Sequence, residues 1–415
     1  KHVMWICFLM IRRPPRSTLF PYTTPSDLGT TAIKGAVIGE DGKIYGTKTS
    51  EYPLTTLPTG EVEADLQLYI NAFTQSIKGA VEDAKVDVAD IKCVGFSSTA
   101  ETCVFLDKYN EPLCKVIAWM DTRATKEAEY LTAHFDKKDI INKVGFDGIY
   151  AIHPVSKILA VKNKNPEIFE KTRMFAQIKD YFIYRLTGEY YTDHSTASDH
   201  GFFDITNRCY WNEMLEFTGI KEEYLPKLVE PGTELGTISR EAALEFGLNP
   251  ETKINVGAFD QGCGAIGAGN TKPGIASEST GSALVTVATI DALNPDSQGD
   301  VPTLCSGIPG KYMYQPYCTG SIIMKWYRDI FCEAEKMVEE QTGLNAYTQM
   351  DEMVKATPAG ADGLIMLPYF QGSGIPELNE KAEGVYYGIN AGHTRGHFIR
   401  AIMEGLAIAL KRMLE

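Results

Sequence analysis

Asp260 and Gln261 stand where a short apolar run, Ile254–Phe259, gives way to the small-residue stretch QGCGAIGAG. A carboxylate at the end of a strand and the start of a helix can take a proton from a hydroxyl. The neighbouring amide side chain of Gln261 can hydrogen-bond a polyol. An N-capping aspartate explains the position equally well, and both roles can hold at once. The second constellation is Asp27-Leu28-Gly29-Thr30-Thr31. Gly29 permits a tight turn and close backbone approach, Thr30 and Thr31 offer hydroxyls and amides to phosphate oxygens, and Asp27 can anchor a magnesium ion through its water shell. Lys34 adds charge nearby. Asp-x-Gly is also common in ordinary turns, so this motif alone decides nothing. The third is Ser279–Ala283 (STGSA), where Gly281 and Ser282 make a glycine turn rich in amides and hydroxyls. It reads as a second phosphate clamp and draws its weight from the other two.

The elements that must position these residues are legible in the pattern. Ala32–Ile38 reads as a strand, Gly39–Gly42 as a hairpin turn and Lys43–Glu51 as the returning strand. Leu66, Tyr69, Ile70, Phe73, Ile77 and Val81 follow the 3–4 spacing of one buried helical face. Strands at Ile91–Ser97 and Cys103–Asp107 follow, then a helix from about Thr122. Strands followed by helices in this order imply an α/β domain with a mixed sheet. Farther on, Ile254–Phe259 is a strand, and IASESTGSALVTVAT is a hairpin with a hydroxyl-rich turn like the first. Two related domains facing one cleft fit that echo.

The bulk numbers narrow the partners. A chain of 415 residues can bury substantial cores in two domains or one large one. With 44% hydrophobic and 23% charged residues it has an ordinary globular composition. A formal charge of −14 repels phosphate backbones and anionic membranes, which argues against nucleic-acid and lipid-surface binding. Nine cysteines with no C-x-x-C pair argue for free thiols in a reducing compartment, the cytoplasm. His393 and His397 have a metal-like spacing, but Gly396 between them favours a turn entering a helix. At the N-terminus, MWICFLMI is too short to span a bilayer. The run FLMIRRPPRSTLFPYTT resembles a translated sequencing adapter, and a disordered extension is the alternative. Residues 1–25 are therefore set aside from the fold, which leaves the strand before the Asp27 turn unfilled.

The most specific stretch is Gly384-x-Tyr386-x-Gly388-Ile389, followed by His397-Phe398-x-x-Ala401-Ile402-Met403-Glu404-Gly405. It resembles the C-terminal signature of the FGGY carbohydrate kinases, the family of xylulokinase, gluconokinase and glycerol kinase. DLGTTAIK (Asp27–Lys34), AWMDTRA (Ala118–Ala124), HPVSKILAV (His153–Val161), KDYFIYRLTGEYYTDHSTAS (Lys179–Ser198) and GAFDQGCGAIGAG (Gly257–Gly269) are similar to family segments in the same order. The resemblance implies a two-domain actin-like (ribonuclease H-like) ATPase fold of class α/β, with residues 26–270 as N-terminal and 271–415 as C-terminal domain. It implies ATP and Mg2+ as cofactors and a small sugar, ketose or polyol as substrate, held in an interdomain cleft. Asp260 would be the general base, and Glu101, Thr102, His153 and Gln261 substrate contacts. Asp27 would organise magnesium; Gly29, Thr30, Thr31, Lys34, Gly281 and Ser282 would hold phosphates.

Departures leave the substrate open. Ala160 stands where the family often has an aromatic residue. Ala100-Glu101-Thr102 matches the glycerol kinase triplet except for its arginine, whereas QGSGIPEL (Gln371–Leu378) looks more like gluconokinase relatives. The family continues past the Gly405 helix, while this chain ends at Glu415. The second domain is thus expected to be incomplete and this chain inactive as written. An actin- or chaperone-like ATPase switch and a non-catalytic sugar-binding relative are the competing readings. The oligomeric state, a homodimer included, stays open.

Overall fold

The computed structural model describes residues 4–8 (by backbone), 28–29, 31–281, 283–294, 299, 301–370, 372–374, 379 and 381–414. Asp27, Thr30, Ser282 and most of Gln371–Leu378 therefore lie outside the described residues. The chain forms two units. One comprises residues 1–275 with 289–313, the other residues 276–288 with 314–415. The segment 289–313 returns to the first unit.

The first unit is built on a mixed six-stranded sheet. Its strand order is Glu234–Thr237, Lys253–Asn255, Ile91–Gly95, Met4–Phe8, Ala32–Gly39, Ile44–Glu51. Met4–Phe8 pairs antiparallel with Ala32–Gly39 and parallel with Ile91–Gly95. This corrects the expectation of an unfilled first strand. The ladder is made by main-chain groups, so an extended run can satisfy the two edges that an empty slot would leave unpaired. A second five-stranded sheet runs Met174–Gln177, Cys103–Leu106, Val116–Ile117, Val62–Ala64, Thr55–Thr56.

The Leu66–Ala84 helix lies directly on the hairpin. A Cβ on Gly35 would come within 2.4 Å of the Ser76 carbonyl oxygen, and one on Gly46 within 2.2 Å of the Ala84 nitrogen. Glycine at both strand positions is what permits that approach. Of the predicted helical face, Leu66, Tyr69, Phe73 and Ile77 are buried, and Ile70 and Val81 pack at its margin. Phe73 stacks on Phe182 with centroids 4.0 Å apart and meets Phe246 edge-on at 5.3 Å, joining three helices in one core.

In the second unit, Ala276–Thr280 and Ala283–Ile290 form the expected hairpin, and Tyr317–Thr319 pairs with its second strand. Helices Ile322–Phe331, Ala346–Lys355 and Arg395–Leu414 enclose a core that includes Ile323, Tyr327, Met350, Met366, Ile399 and Ile402. His393 lies in the turn before the last helix and His397 in that helix's first turn, so a turn runs into a helix as the spacing suggested. The His397 Nδ1 accepts the Thr394 amide at 3.0 Å.

Candidate active site

Two adjacent parallel strands break at the same level and so create the site. The Ile254–Phe259 run is two short strands rather than one, Lys253–Asn255 and Ala258–Phe259. They pair in parallel with Ile91–Gly95 and Ser97–Ser98 respectively. Gly257 makes the break with φ +69, and a Cβ there would lie 1.7 Å from the Phe96 carbonyl oxygen. Beyond the break both chains run to the C-terminal ends of their strands, where open α/β sheets place functional groups. One delivers Asp260, the first residue of the Asp260–Gly267 helix; the other delivers the loop from Thr99 to Thr102.

Asp260 is 9% exposed. The residue before it is held by a buried polar network. The Phe259 amide donates to Ser195 Oγ at 3.0 Å, and Ser195 Oγ–H donates to Asp193 Oδ1. Asp193 also caps the short His194–Ala197 helix and pairs with the fully buried Lys179, which reaches Thr196 Oγ1 at 2.6 Å. Burial alone would raise the Asp193 carboxyl, but Lys179 and the two hydroxyls bring it below its usual value.

The Thr99–Thr102 loop is fixed from both sides. Upstream, Leu28 N–H donates to Ser97 O at 3.0 Å and Thr99 Oγ1 donates to Leu28 O at 3.2 Å, tying Leu28 to this loop. Downstream, Lys157 is fully buried and spends its ammonium on three carbonyls: Glu101 at 2.8 Å, Ala118 at 2.9 Å and Trp119 at 2.9 Å. These contacts hold Glu101 in the left-handed region, φ +60, a conformation costing about 1 kcal/mol or more outside glycine. Beside it, Asp121 Oδ2 accepts the Val62 amide at 2.6 Å, and Arg123 forks onto Asp121.

The electrostatics of this pocket are those of charges taken out of water. Burial, then the charge of Asp199, pushes the Glu101 carboxyl well above the carboxylate range, and Asp260 adds to the push. Burial lifts Asp199 to about 6, against the pull of Glu101 and Lys157. Burial lowers the Lys157 ammonium. His153, at the N-cap of the Pro154–Lys164 helix, is driven down to about 3 by burial and then by Lys157 and His200, so it is neutral. Its Nδ1 accepts the Tyr150 amide at 3.2 Å, which leaves the hydrogen on Nε2.

Glu101, Thr102, His153 and Asp260 thus lie in one unit. Glu101 interacts with Asp260, while Thr102 is buried with its carbonyl accepting the Ile178 amide at 3.0 Å. Gln261 is half-buried on the first turn of the Asp260 helix. Gly29 is buried, its N–H donating to Ala32 O at 3.1 Å and its carbonyl accepting the Tyr52 hydroxyl. Thr31 is exposed and Lys34 half-buried on the following strand. Gly281 belongs to the second unit, with its carbonyl accepting the Ser321 amide at 2.8 Å. The sequence reading assigned no role to Lys157, Asp199, Asp193 or Lys179. The signal for Lys157 was available: it lies one helical turn after His153 in HPVSK, so the two share a face. Asp199 lies just past the KDYF…STAS segment and has no local signal.

Residues 22–267 match the N-terminal domain, and residues 295–415 the C-terminal domain, of the FGGY family of carbohydrate kinases. A xylulose kinase of Bacillus subtilis (strain 168) is 29% identical over 397 residues, covering 95% of this chain and 77% of that protein. A gluconokinase of the same organism is 28% identical over 392 residues, covering 93% of this chain and 74% of its own length. Among solved structures, a ligand-bound xylulose kinase from Lactobacillus acidophilus superposes with a TM-score of 0.84 at 25% identity, covering 98% of this chain and 77% of that one. A gluconate kinase from the same species gives 0.83 at 25% identity, with 99% and 77% covered. The fold is the two-domain actin-like ATPase fold of those sugar kinases. With both domain families matched along most of its length, the chain belongs to the FGGY family of carbohydrate kinases.

Proposed function

We propose that the activity of this protein is transfer of the γ-phosphoryl group of ATP to a hydroxyl of a small sugar, ketose or polyol, with Asp260 as general base; the assay below also tests the expectation that the chain as written is inactive. Members of the family are phosphotransferases with a sugar hydroxyl as acceptor and ATP as donor. The observation that carries the assignment of Asp260 is its placement. A buried carboxylate heads a helix at the end of a parallel strand, and the preceding amide is locked by Ser195. Asp260 accepts the hydroxyl proton, the freed oxygen forms a bond to the γ-phosphorus, and the bond from that phosphorus to the β–γ bridging oxygen breaks, releasing ADP. An aspartate is a weak base at neutral pH, which suffices where the transition state is loose and the proton leaves late.

Glu101, Thr102 and Gln261 orient the substrate in this reading, and His153, fully buried with Nδ1 on the Tyr150 amide and Nε2 beside Asp199, acts on it through Asp199. Gly29, Thr30, Thr31 and Lys34, with Gly281 and Ser282, hold phosphate oxygens. A lone carboxylate beside a glycine turn with two threonines suits a hard cation that keeps most of its water. Asp27 would hold such a magnesium ion through that water, and the ion would supply charge neutralisation on the phosphates. Among the described residues no helix is long and apolar enough to cross a membrane. The free thiols support a reducing, ATP-supplied compartment, and we place the protein in the cytoplasm.

The test is ADP release in a screen of ketoses, polyols and sugar acids, with Asp260→Asn as control. ADP release tied to particular compounds and lowered about 10²–10⁴-fold by the substitution is expected. Steady ATP hydrolysis indifferent to every compound and to the substitution would overturn the reading.

A further inference from the structure

Glu101, Asp199 and His153 are 7%, 4% and 0% exposed. Glu101 faces Asp199, Lys157 and Asp260; Asp199 faces Glu101, Lys157 and the His153 ring. Lys157 has no N–H left for either carboxyl, because its three donors end on backbone carbonyls. The Glu101 and Asp199 side chains interact by a hydrogen bond, a contact two carboxyls make when one of them holds a proton.

The imidazole settles on which side the charge lies. His153 Nε2 carries the ring hydrogen and stands 3.7 Å from Asp199 Oδ1. Among the described residues neither atom has a hydrogen-bond partner of its own. A buried N–H this near Asp199, at a distance longer than a hydrogen bond, still favours the negative charge there by its dipole, which leaves the proton on Glu101. The ordering of the two carboxyls agrees: Glu101 is raised well above its usual range and Asp199 only to about 6.

We propose that Asp199 is a positioning residue for the substrate: backed by His153 Nε2–H, it shares one proton with Glu101 and keeps Glu101 a neutral acid, so that the charge of the pair lies on Asp199 and away from Asp260. A second anion beside Asp260 would repel the oxygen that turns anionic as its proton leaves. A neutral Glu101 still accepts a substrate hydroxyl through its second oxygen. The role in catalysis, though not the shared proton, rests on the kinase reading above.

Infrared difference spectra of the full chain test the proton directly. At pH 7.5, wild type minus Glu101→Gln is expected to show the carbonyl stretch of a protonated carboxylic acid. Asp199→Asn is expected to lose that band, because an amide partner lets Glu101 ionise. In ADP-release assays on the best compound, Asp199→Asn raises KM about tenfold, with a smaller fall in kcat. The defect shrinks as pH is lowered towards 5.5, where Glu101 regains its proton. Glu101→Gln, which keeps an uncharged donor towards Asp199, retains more kcat/KM than Glu101→Ala. An acid band missing from the wild type, or Glu101→Gln as damaging as Glu101→Ala, overturns the proposal. If the band is present while no compound releases ADP, the shared proton stands and the proposed function fails instead. Should Asp199→Asn not fold, the KM profiles of wild type and Glu101→Gln carry the test. Wild-type KM rises at alkaline pH as the pair loses its proton, that of Glu101→Gln does not, and parallel profiles overturn the pair.

Discussion

Asp180 shows how much a single buried carboxyl weighs. It is the third residue of the Ile178–Thr187 helix, where its side chain accepts the Gln177 amide at 2.8 Å in a capping box. Burial pushes it up to about 7, with Lys179 and that amide pulling the other way. In an unfolded chain the group titrates near 4 (about 3.9). Between those values the folded protein holds a proton that the unfolded chain has released. The stability contributed by this group is therefore full below about pH 4, falls as pH rises towards 7, and is flat above. The difference is on the order of 2–4 kcal/mol. Asp180→Asn keeps the acceptor and removes the charge. It is expected to raise the melting temperature by several degrees at pH 8 and to leave it nearly unchanged at pH 4.5. Equal shifts at both pH values would refute the buried-acid account. Lys157 makes the complementary point: a buried cation is tolerated because three carbonyls take all its donors.

At the scale of elements, the site is a device for ending two strands together. The Gly257 break, the Ser97–Ser98 pairing and the Asp193–Ser195 network together fix the backbone that leads into Asp260. Ser195→Ala removes the acceptor of the Phe259 amide and a donor to Asp193. It is expected to lower kcat about tenfold with little change in KM, and to cost about 1–2 kcal/mol of stability. An unchanged kcat in a variant destabilised by that amount would show that the network holds the fold and not the base. The FGGY signature has a packing explanation at this scale. A Cβ on Gly405 would lie 2.4 Å from the Met366 carbonyl oxygen, and one on Gly396 2.7 Å from that of Met353. Gly388 has φ +87, and the Tyr386 hydroxyl donates to Phe398 O at 3.2 Å. The constrained types hold the last helix against its strand pair.

For the whole molecule, the cysteine count bears on oxidation state. The chain has nine cysteines, and the eight described ones are all free. Cys209 is exposed, whereas burial pushes the Cys103 and Cys305 thiols up to about 11. Nine thiols per chain are expected in denaturant without reductant. In the native protein at pH 8, peptide mapping is expected to find Cys209 labelled well ahead of Cys103 and Cys305. Fewer than nine thiols, or early labelling of the buried pair, would contradict the fold or the compartment.

The residues that carry local rules were legible without coordinates. The hairpin follows from alternation and a Gly turn, the Leu66–Ala84 helix from its 3–4 spacing, and Asp260 from the strand-to-helix change, because each is written in neighbours along the chain. The class of chemistry followed from motif types at fixed spacing. What only the tertiary structure decided lies in long-range contact. It split Ile254–Phe259 at Gly257 because Phe96, more than 150 residues earlier, leaves no room for a side chain there. It paired Met4–Phe8 between two strands distant in sequence. It set Asp199 against Glu101 and His153, where burial, a property of the packed protein and of no local pattern, raises both carboxyls above their usual range.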